Sequence, residues 1–369
     1  MINILDNFKK IEQEIKIYKP DVLVFCIDFD GTLTKICKSP FDAILENNYK
    51  KIVERVRNIE NVFFCIVTGR ELSDIINIVS IDSNIIYSGN HGFEIKSFYK
   101  KVRLNFIYKD LKNYLTVLKE IFKKVSEIQI ENLIIENKKY SISLHYRILP
   151  HKDIKPLKDA VAFIMDSNAD YKRMFELKKG KKIIEIRPKI QWNKGKACDF
   201  ILKELLAQLS WVSTYNSNKG STRQLNIDGN NSNNNNGDNF STDNNSSNNN
   251  NGDNVSTGNN VNAESKNGIK NILKICVGDD LTDETMFGRN KYSFELNPNS
   301  ELNLNLELNP NYGSNSHLKL NSNSNLKKIN IKSINCVVGK KKSAADYYIH
   351  NFRQTYEIIE NIANTFVNL

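Results

Sequence analysis

Two carboxylates stand two residues apart, directly after a run of apolar residues near the start of the chain. The run Val22 to Ile27 has the continuous apolar character of a strand buried on both faces, and Asp28 and Asp30 follow it. One such carboxylate can attack phosphorus while its neighbour handles the leaving group's proton, and Mg²⁺ can offset their mutual repulsion. The alternative is a polar turn whose aspartate caps the next helix. The pair therefore indicates phosphoryl transfer, with a capped turn as the competing interpretation.

Three further segments supply the other residue types that this chemistry needs. Val62 to Val67 is predicted to be a second buried strand, and it ends in Thr68-Gly69-Arg70, a turn able to hydrogen-bond a phosphate oxygen. Lys194 precedes a predicted helix and offers a point charge for phosphate. The predicted strand Ile272 to Val277 leads into the acidic segment 278–284, which suits a hard cation. Singly, these are also typical of a plain turn, a solvated lysine and a helix cap, but their order favours one phosphate site.

Five more motifs lie between and beside these segments: Asn90-His91-Gly92-Phe93-Glu94, Glu136-Asn137-Lys138, His145-Tyr146-Arg147, Gly180-Lys181-Lys182 and Glu185-Ile186-Arg187-Pro188. The four strand-end and lysine segments resemble the signature of the haloacid dehalogenase superfamily of phosphotransferases. With the five motifs, the chain resembles the trehalose-6-phosphate phosphatase family over residues 20–210 and 270–350. E-x-K followed by H-Y-R, with E-x-R-P before N-K-G-K, distinguishes this family from general sugar phosphatases of the superfamily.

This resemblance implies a role for each polar group near the strand ends. Asp28 is expected to be the nucleophile and Asp30 the general acid and base. Thr68 and Lys194 are expected to bind the phosphate, and Arg70 to contact the substrate beside them.

The resemblance also implies Mg²⁺ as the cofactor. Its expected ligands are Asp28, the backbone carbonyl of Asp30, and Asp279, with Asp280 as a further candidate. Asp283 is an open alternative to Asp280, because either carboxylate could reach the ion through water or orient the lysine.

Substrate-binding residues are expected in the middle of the chain, because carboxylates and cationic side chains can bracket the hydroxyls of a disaccharide. The alternative is that Glu136 and Lys138 simply pair across a solvated sheet face. His145 is expected to pack against its neighbours or to orient them, and the resemblance implies that His91 shapes the hinge between core and cap. The resemblance implies that the glucose units are held by Glu136, Lys138, Arg147, Lys181 and Glu185.

The alternation of strands and helices predicts an α/β fold, a Rossmann-like core with a parallel sheet and helices on both faces. Ligands of such sheets bind beyond the carboxyl ends of the strands, where the catalytic segments lie. The predicted strands are 22–27, 62–67, 85–87, 272–277 and 334–338, and the predicted helices are 41–58, 71–79, 196–209 and 354–366.

The middle of the chain is predicted to be an α/β cap inserted into this core and able to close over the site. The expected boundaries are residues 1–94 for the first part of the core, 95–190 for the cap and 191–369 for the rest of the core. Within the cap, strands are predicted at 98–106, 133–138, 141–147 and 182–187, and helices at 111–129 and 154–168.

Two Asn-rich segments, at about 216–262 and 297–325, interrupt the second part of the core. They have too little apolar surface to offset their ordering entropy, so disordered inserts are expected. The alternative is that they recruit partners or promote assembly, because Asn-rich tracts can form β aggregates.

Length and composition fit a soluble enzyme. The 369 residues, 40% of them hydrophobic, are enough for one large core and a subsidiary domain. No apolar run approaches the roughly 20 residues that span a bilayer, and no signal segment is evident, so a cytoplasmic location is expected.

Six cysteines without a C-x-x-C pair predict free thiols. The net charge of +10 is spread along the chain, which suits an anionic sugar phosphate, and a nucleic-acid partner is not indicated.

The expected function is therefore Mg²⁺-dependent hydrolysis of trehalose 6-phosphate through an aspartyl-phosphate intermediate, the final step of trehalose biosynthesis. A separate trehalose-phosphate synthase is expected to supply the substrate. The alternatives are a phosphatase of the same superfamily acting on another sugar phosphate, such as sucrose phosphate or mannosylglycerate phosphate, and a non-catalytic sugar-phosphate sensor.

Overall fold

The main feature of the fold is a mixed sheet whose middle strands run parallel. The computed structural model describes residues 1–108, 112–180, 182–220, 269–287, 291–296 and 327–369. Within these residues the first sheet has ten strands: β1 (Ile2–Asn3), β2 (Val22–Ile27), β3 (Val62–Val67), β4 (Ile86–Gly89), β5 (Glu94–Ser97), β6 (Asn105–Ile107), β11 (Asn271–Gly278), β12 (Lys291–Leu296), β13 (Lys327–Val338) and β14 (Tyr347–Ile349).

The order of strands places the ends of β2, β3 and β11 side by side. Across the sheet the order is β1-β14-β13-β11-β2-β3-β4-β5-β6, and β12 pairs with β13. The pairs from β1 to β4 along this order are parallel, whereas β5, β6 and β12 pair antiparallel. Because neighbouring parallel strands end at one edge of a sheet, the residues that follow β2, β3 and β11 emerge together.

Helices cover both faces of this sheet, which confirms the predicted α/β core. All residues of β2 and β3 are buried, so both faces of these strands need a covering layer. Alternate residues of β2 enter opposite cores: Leu23, Phe25 and Ile27 on one side, Val22, Val24 and Cys26 on the other. The first side is covered by α1 (Phe8–Tyr18), α2 (Asn47–Val56), α3 (Leu72–Val79) and α8 (Arg353–Val367), and the second by α7 (Lys194–Gly220).

A second sheet of four antiparallel strands is formed by the middle of the chain. Its strands are β7 (Ile134–Asn137), β8 (Ile142–His145), β9 (Phe175–Gly180) and β10 (Ile183–Pro188), in the order β7-β8-β10-β9. One face packs its apolar residues, such as Ile142, Leu144 and Ile184, against α4 (Lys112–Ser126), α5 (His151–Asp166) and α6 (Ala169–Met174). Side chains alternate across a strand, so Ser143, His145 and Glu185 belong to the opposite face.

Several predicted elements have different bounds in the structure. The single strand predicted at 98–106 is wrong: β5 and β6 form a hairpin that extends the first sheet to Ile107, although the predicted cap begins at residue 95. The helix predicted from residue 41 begins at Asn47, after a short 3₁₀ turn that starts at Pro40. The strand predicted at 334–338 begins at Lys327. Elements that the apolar periodicity did not predict are α1, α6, β1, β5, β9, β12 and β14.

A short linker joins the second sheet to the first. β10 ends at Pro188 and α7 begins at Lys194. Within the linker, Trp192 is buried in the core beneath α7, where its ring lies 5.5 Å from that of Phe106 and 6.3 Å from that of Phe200. Residues 1–211 and 269–369 form one compact unit, so both sheets belong to the same unit.

The two Asn-rich segments lie almost entirely outside the described residues. Residues 216–220 of the first segment form the end of α7, and residues 221–262 and 297–325 are not described. Among the helices that are described, none combines the length and the apolar character needed to cross a bilayer.

Candidate active site

The edge where β2, β3 and β11 end brings together the residues that the sequence assigned to phosphate chemistry. The ammonium of Lys194, at the start of α7, donates to Asp28 at 2.7 Å and to Asp283 at 2.7 Å. These three side chains are at most 5% exposed. Asp28 and Lys194 are 166 residues apart in the chain, so the fold, and no local turn, creates this contact.

Three carboxylates form a buried acidic cluster here. Asp28, Asp279 and Asp283 each offer an oxygen, and these oxygens all lie within 4.8 Å of one another. Burial, together with the charge of Asp283, raises the pKa of Asp28 well above its ordinary value, although Lys194 acts in the opposite direction. Burial alone lowers the pKa of Lys194, but Asp28 and Asp283 raise it overall. Three buried carboxylates around one ammonium leave an excess of negative charge, and oxygen ligands of this kind suit a hard divalent cation.

Asp283 contributes to the cluster because the turn after β11 is folded around it. Its Oδ2 accepts hydrogen bonds from the backbone N–H groups of Asp279 at 2.8 Å and Asp280 at 3.0 Å. A Cβ on Gly278 would lie 2.3 Å from the Cβ of Asp283, so only glycine permits this approach.

Asp280, the predicted metal ligand, is placed differently from Asp283. Its Oδ1 accepts from the backbone N–H of Thr282 at 2.7 Å and from the hydroxyl of Thr282 at 2.6 Å. Burial alone raises the pKa of Asp280, but Lys194 and the bonds from Thr282 lower it overall. The structure therefore brings Asp283 into the acidic cluster and commits Asp280 to the turn, although Asp280 also lines the cavity.

The loop after β2 lies close against Asp279. Gly31 has a φ of +86°, in the left-handed region that side chains rarely adopt, and a Cβ there would be 2.1 Å from Asp279 Oδ2. Thr32 donates its hydroxyl to Asp28 Oδ2 at 3.1 Å. Glycine at position 31 is thus needed both for the backbone conformation and for the packing of the acidic cluster.

Asp30 points toward the turn after β3. Both of its oxygens accept from Arg70, from Nε at 2.7 Å and from Nη2 at 2.8 Å. Arg70 also donates to Asp74 at 3.0 Å and to the carbonyl of Pro40 at 2.8 Å. Burial alone lowers the pKa of Arg70, but its bonds with Asp30 raise it overall. Sequence reasoning assigned Arg70 to the substrate; the structure places it as the partner of Asp30, with both residues lining the cavity.

Thr68 and Gly69 form the rest of that turn. Thr68 is 1% exposed, lines the cavity, and its Oγ1 accepts from the backbone N–H of Arg70 at 3.2 Å. A Cβ on Gly69 would lie 2.7 Å from the ring of His91, so the imidazole packs directly on the turn.

The second sheet faces the same cavity, whose volume is about 160 Å³. We call its contribution the polar wall, defined as Glu136, Lys138, Ser143, His145 and Glu185. Of the other residues predicted to bind sugar, Arg147 also lines the cavity, and Lys181 lies outside the described residues.

Contacts within the polar wall orient its carboxylates. His145 Nε2 lies 2.8 Å from Glu136 Oε2, and Lys138 Nζ lies 3.8 Å from the same oxygen. Burial alone raises the pKa of Glu136, but the hydrogen bond with His145 and the charge of Lys138 lower it overall. The Glu136–Lys138 pair is thus largely buried in the cavity, with side chains 14% and 11% exposed, and does not lie on a solvated face.

Sequence reasoning missed Ser143, whose hydroxyl is buried and has no hydrogen-bond partner among the described groups. Its register partners are Glu136 on β7 and Glu185 on β10. Alternation between the apolar residues Ile142 and Leu144 was the signal that could have placed Ser143 on the cavity face.

Solved structures with the same architecture define the class of fold. The C-terminal domain of the C. albicans trehalose-6-phosphate phosphatase superposes with a TM-score of 0.57 at 20% identity, covering 97% of each chain. A trehalose-6-phosphate phosphatase related protein superposes with a TM-score of 0.52 at 17% identity, covering 94% of this chain and 99% of the other. These likenesses show that the chain shares its fold with these two proteins.

The amino-acid sequence shows the family to which the chain belongs. The trehalose-phosphatase family model matches residues 26–271, more than half of the chain. The chain therefore belongs to the trehalose-phosphatase family. Phosphatases of this family generally use a divalent metal, in keeping with the acidic cluster.

Two plant proteins are among the curated relatives of this chain. Probable trehalose-phosphate phosphatase I of Arabidopsis thaliana is 29% identical over 205 residues, which are 53% of this chain and 54% of the relative. Trehalose 6-phosphate phosphatase RA3 of Zea mays is 29% identical over 195 residues, covering 50% and 52%. The chain spans about half the length of the curated relatives it matches.

Proposed function

We propose that this chain is a Mg²⁺-dependent phosphatase that hydrolyses trehalose 6-phosphate to trehalose and phosphate, the final step of trehalose biosynthesis. The observation that carries the proposal is the buried contact of Lys194 with both Asp28 and Asp283 within the acidic cluster. The names of the plant relatives support the choice of substrate. We also propose a cytoplasmic location and a separate trehalose-phosphate synthase as the source of substrate.

The reaction has two steps in this proposal. Asp28 attacks phosphorus in line and forms an aspartyl phosphate, while Asp30 gives its proton to the departing sugar oxygen. Asp30 then removes a proton from the water that hydrolyses the aspartyl phosphate. Thr68 and Lys194 hold phosphate oxygens throughout, the ammonium balancing their charge.

Asp28, Asp279 and the backbone carbonyl of Asp30 are the proposed ligands of Mg²⁺, with Asp283 or Asp280 assisting. The bound ion supplies neutralisation of the charge that develops on the phosphate oxygens. The close packing of Gly31 against Asp279 supports this assignment, because it fixes the carboxylate beside the loop that carries Asp30.

The second sheet is proposed to act as a cap that binds the sugar. Carboxylates of the polar wall accept hydrogen bonds from hydroxyls, and its cationic groups donate to sugar oxygens. Excluding water from the cavity would strengthen these contacts and protect the reaction. The residues proposed to hold the two glucose units are Glu136, Lys138, Arg147, Lys181 and Glu185.

Phosphate release by the purified protein with Mg²⁺ tests the proposal. The substrates are trehalose 6-phosphate, sucrose 6-phosphate and glucose 6-phosphate, and trehalose 6-phosphate is expected to have a kcat/KM at least about tenfold above the others. A preference for either of the others would contradict the choice of substrate. Tight Mg²⁺-dependent binding of trehalose 6-phosphate without turnover would instead indicate a sensor.

A further inference from the structure

The turn formed by Asn90, His91 and Gly92 has an unusual backbone. Its φ angles are +49°, +55° and +97°, so three consecutive residues lie in the left-handed region. Two backbone hydrogen bonds hold this turn against residues 68–70, which we call the phosphate-binding turn. The N–H of His91 donates to the carbonyl of Thr68 at 2.9 Å, and the N–H of Asn90 donates to the carbonyl of Arg70 at 2.6 Å. Such conformations persist where the surroundings fix them, and they concentrate at functional sites.

The His91 side chain reaches from this turn to the polar wall. Its ring packs on Gly69, where a Cβ would lie only 2.7 Å from Cε1 and Nε2. Nε2 lies 3.1 Å from Glu185 Oε1, which also accepts from the hydroxyl of Ser141 at 3.2 Å. His91 and Glu185 are 9% and 7% exposed, so their contact is screened only weakly by solvent.

This contact keeps Glu185 in the form that can accept hydrogen bonds from hydroxyls. Burial alone raises the pKa of Glu185, but the interaction with His91, aided by Lys138 and Arg187, lowers it overall. A carboxylate fixed at one oxygen on the cavity surface is a preorganised acceptor, and preorganisation of this kind increases selectivity for a ligand that matches it.

A second contact ties the same segment to the second sheet. Glu94 accepts from the side-chain amide of Asn90 at 3.0 Å, from the hydroxyl of Tyr140 at 3.4 Å, and from the ammonium of Lys139. Lys139 and Tyr140 lie in the connection between β7 and β8. The segment 90–94 therefore holds the second sheet at two points, one of them inside the cavity.

We infer that His91 is a positioning residue that orients Glu185 for the hydroxyls of a sugar leaving group and couples the phosphate-binding turn to the polar wall. The inference rests on the proposed function and deepens it. Selection of sugar phosphates over simple phosphomonoesters depends on His91, a residue of the first sheet's edge, as well as on the polar wall.

Two substitutions at position 91 separate this role from a purely structural one. The amide nitrogen of Gln can take the place of imidazole Nε2 beside Glu185, whereas the amide of Asn corresponds to the Nδ1 position and is too short. Asn tolerates a left-handed backbone better than Gln does. A positioning role therefore predicts that His91→Gln retains more selectivity than His91→Asn, and a backbone role predicts the reverse order.

The experiment measures kcat and KM of the 369-residue chain with trehalose 6-phosphate and with p-nitrophenyl phosphate, which has no sugar. In His91→Asn, the ratio of kcat/KM for the sugar phosphate to that for p-nitrophenyl phosphate is expected to fall about tenfold or more, mainly through KM. His91→Gln is expected to restore most of that ratio. His151→Gln, at an exposed position, is the matched control and leaves the ratio unchanged.

A double-mutant cycle with Glu185→Gln completes the test, because residues that act together give non-additive effects. Adding His91→Asn to Glu185→Gln should lower the ratio little further. Equal losses on both substrates, or a better ratio in His91→Asn than in His91→Gln, would overturn the inference. If the unaltered protein prefers a different sugar phosphate, the proposed function fails, and the same ratios measured with the preferred sugar phosphate still decide the role of His91.

Discussion

Arg70 binds both carboxylate oxygens of Asp30, at 2.7 and 2.8 Å, across 40 residues of sequence. The pair is a bidentate contact of planar groups, the geometry in which arginine fixes a carboxylate most firmly. Asp74 and the carbonyl of Pro40 hold the other side of the guanidinium. Arg70 therefore sets the orientation of Asp30, and one of the two contacts must open when Asp30 carries the proton that the proposed general acid donates.

Replacing Arg70 should lower kcat most for substrates whose leaving group needs to be protonated. A sugar alkoxide leaves poorly without protonation, whereas p-nitrophenolate leaves readily. We expect Arg70→Ala to lower kcat for trehalose 6-phosphate by about a hundredfold and to affect p-nitrophenyl phosphate far less. Asp74→Asn keeps the Asp30 contact and serves as the matched control, with a much smaller loss. Equal losses on the two substrates in Arg70→Ala would show that Arg70 serves the phosphate and not the acid.

Asp28→Asn should abolish turnover while the fold remains intact. The amide cannot act as the nucleophile, so kcat is expected to fall by about a thousandfold or more. The substitution also removes one of three buried carboxylates, and the melting temperature without metal should therefore not decrease by more than a few degrees. Phosphate release and circular dichroism measure the two effects. Near-normal activity in this variant would eliminate the mechanism.

Mg²⁺ should raise the melting temperature, because an ion that binds only the folded chain stabilises it by mass action. At a hundred times its dissociation constant, the gain is about 2.7 kcal/mol. Thermal unfolding is compared in MgCl₂ and in NaCl of equal ionic strength. Asp279→Asn should lose most of the shift, whereas Asp280→Asn should retain it because its carboxylate is committed to Thr282. Loss of the shift in Asp280→Asn would assign the assisting role to Asp280 and not to Asp283.

The charge of Glu136 should make the free energy of unfolding depend on pH. Its pKa is lower in the folded chain than the ordinary value near 4.3, so its stabilising contribution is fully present above that value. The contribution is lost as pH falls through the lower folded value. Glu136→Gln should therefore be less stable than the unaltered protein above about pH 5, and the difference should shrink below about pH 4. Urea unfolding from pH 3.5 to 7 measures it, and a constant difference would contradict the assignment.

The core of the site could be predicted from sequence because it depends on simple rules. Buried parallel strands have continuous apolar runs, and their carboxyl ends meet at one edge, which placed Asp28 and Thr68 correctly at neighbouring strand ends. The place of Lys194 in the site could be predicted from its position at the start of a predicted helix. These inferences need only the order of elements and no side-chain geometry.

Other features depended on tertiary geometry that no local pattern encodes. The choice between Asp280 and Asp283 is made by backbone N–H groups of a turn that closes over Gly278. The direction of the Arg70 side chain is set by Asp30 and Pro40, which precede it by 40 and 30 residues. The strand predicted at 98–106 covers the turn between β5 and β6 and only the first two residues of β6, because that turn is not marked by glycine or proline.

The linker between Pro188 and Lys194 carries a tryptophan whose fluorescence can report on the second sheet. Its five intervening residues, 189–193, reach about 20 Å at full stretch, and Trp192 anchors their far end beneath α7. A movement of the second sheet relative to the first should therefore change the environment of the Trp192 ring. The chain has only one other tryptophan, Trp211, so in a Trp211→Phe protein the emission of a single ring would follow the arrival of sugar in real time.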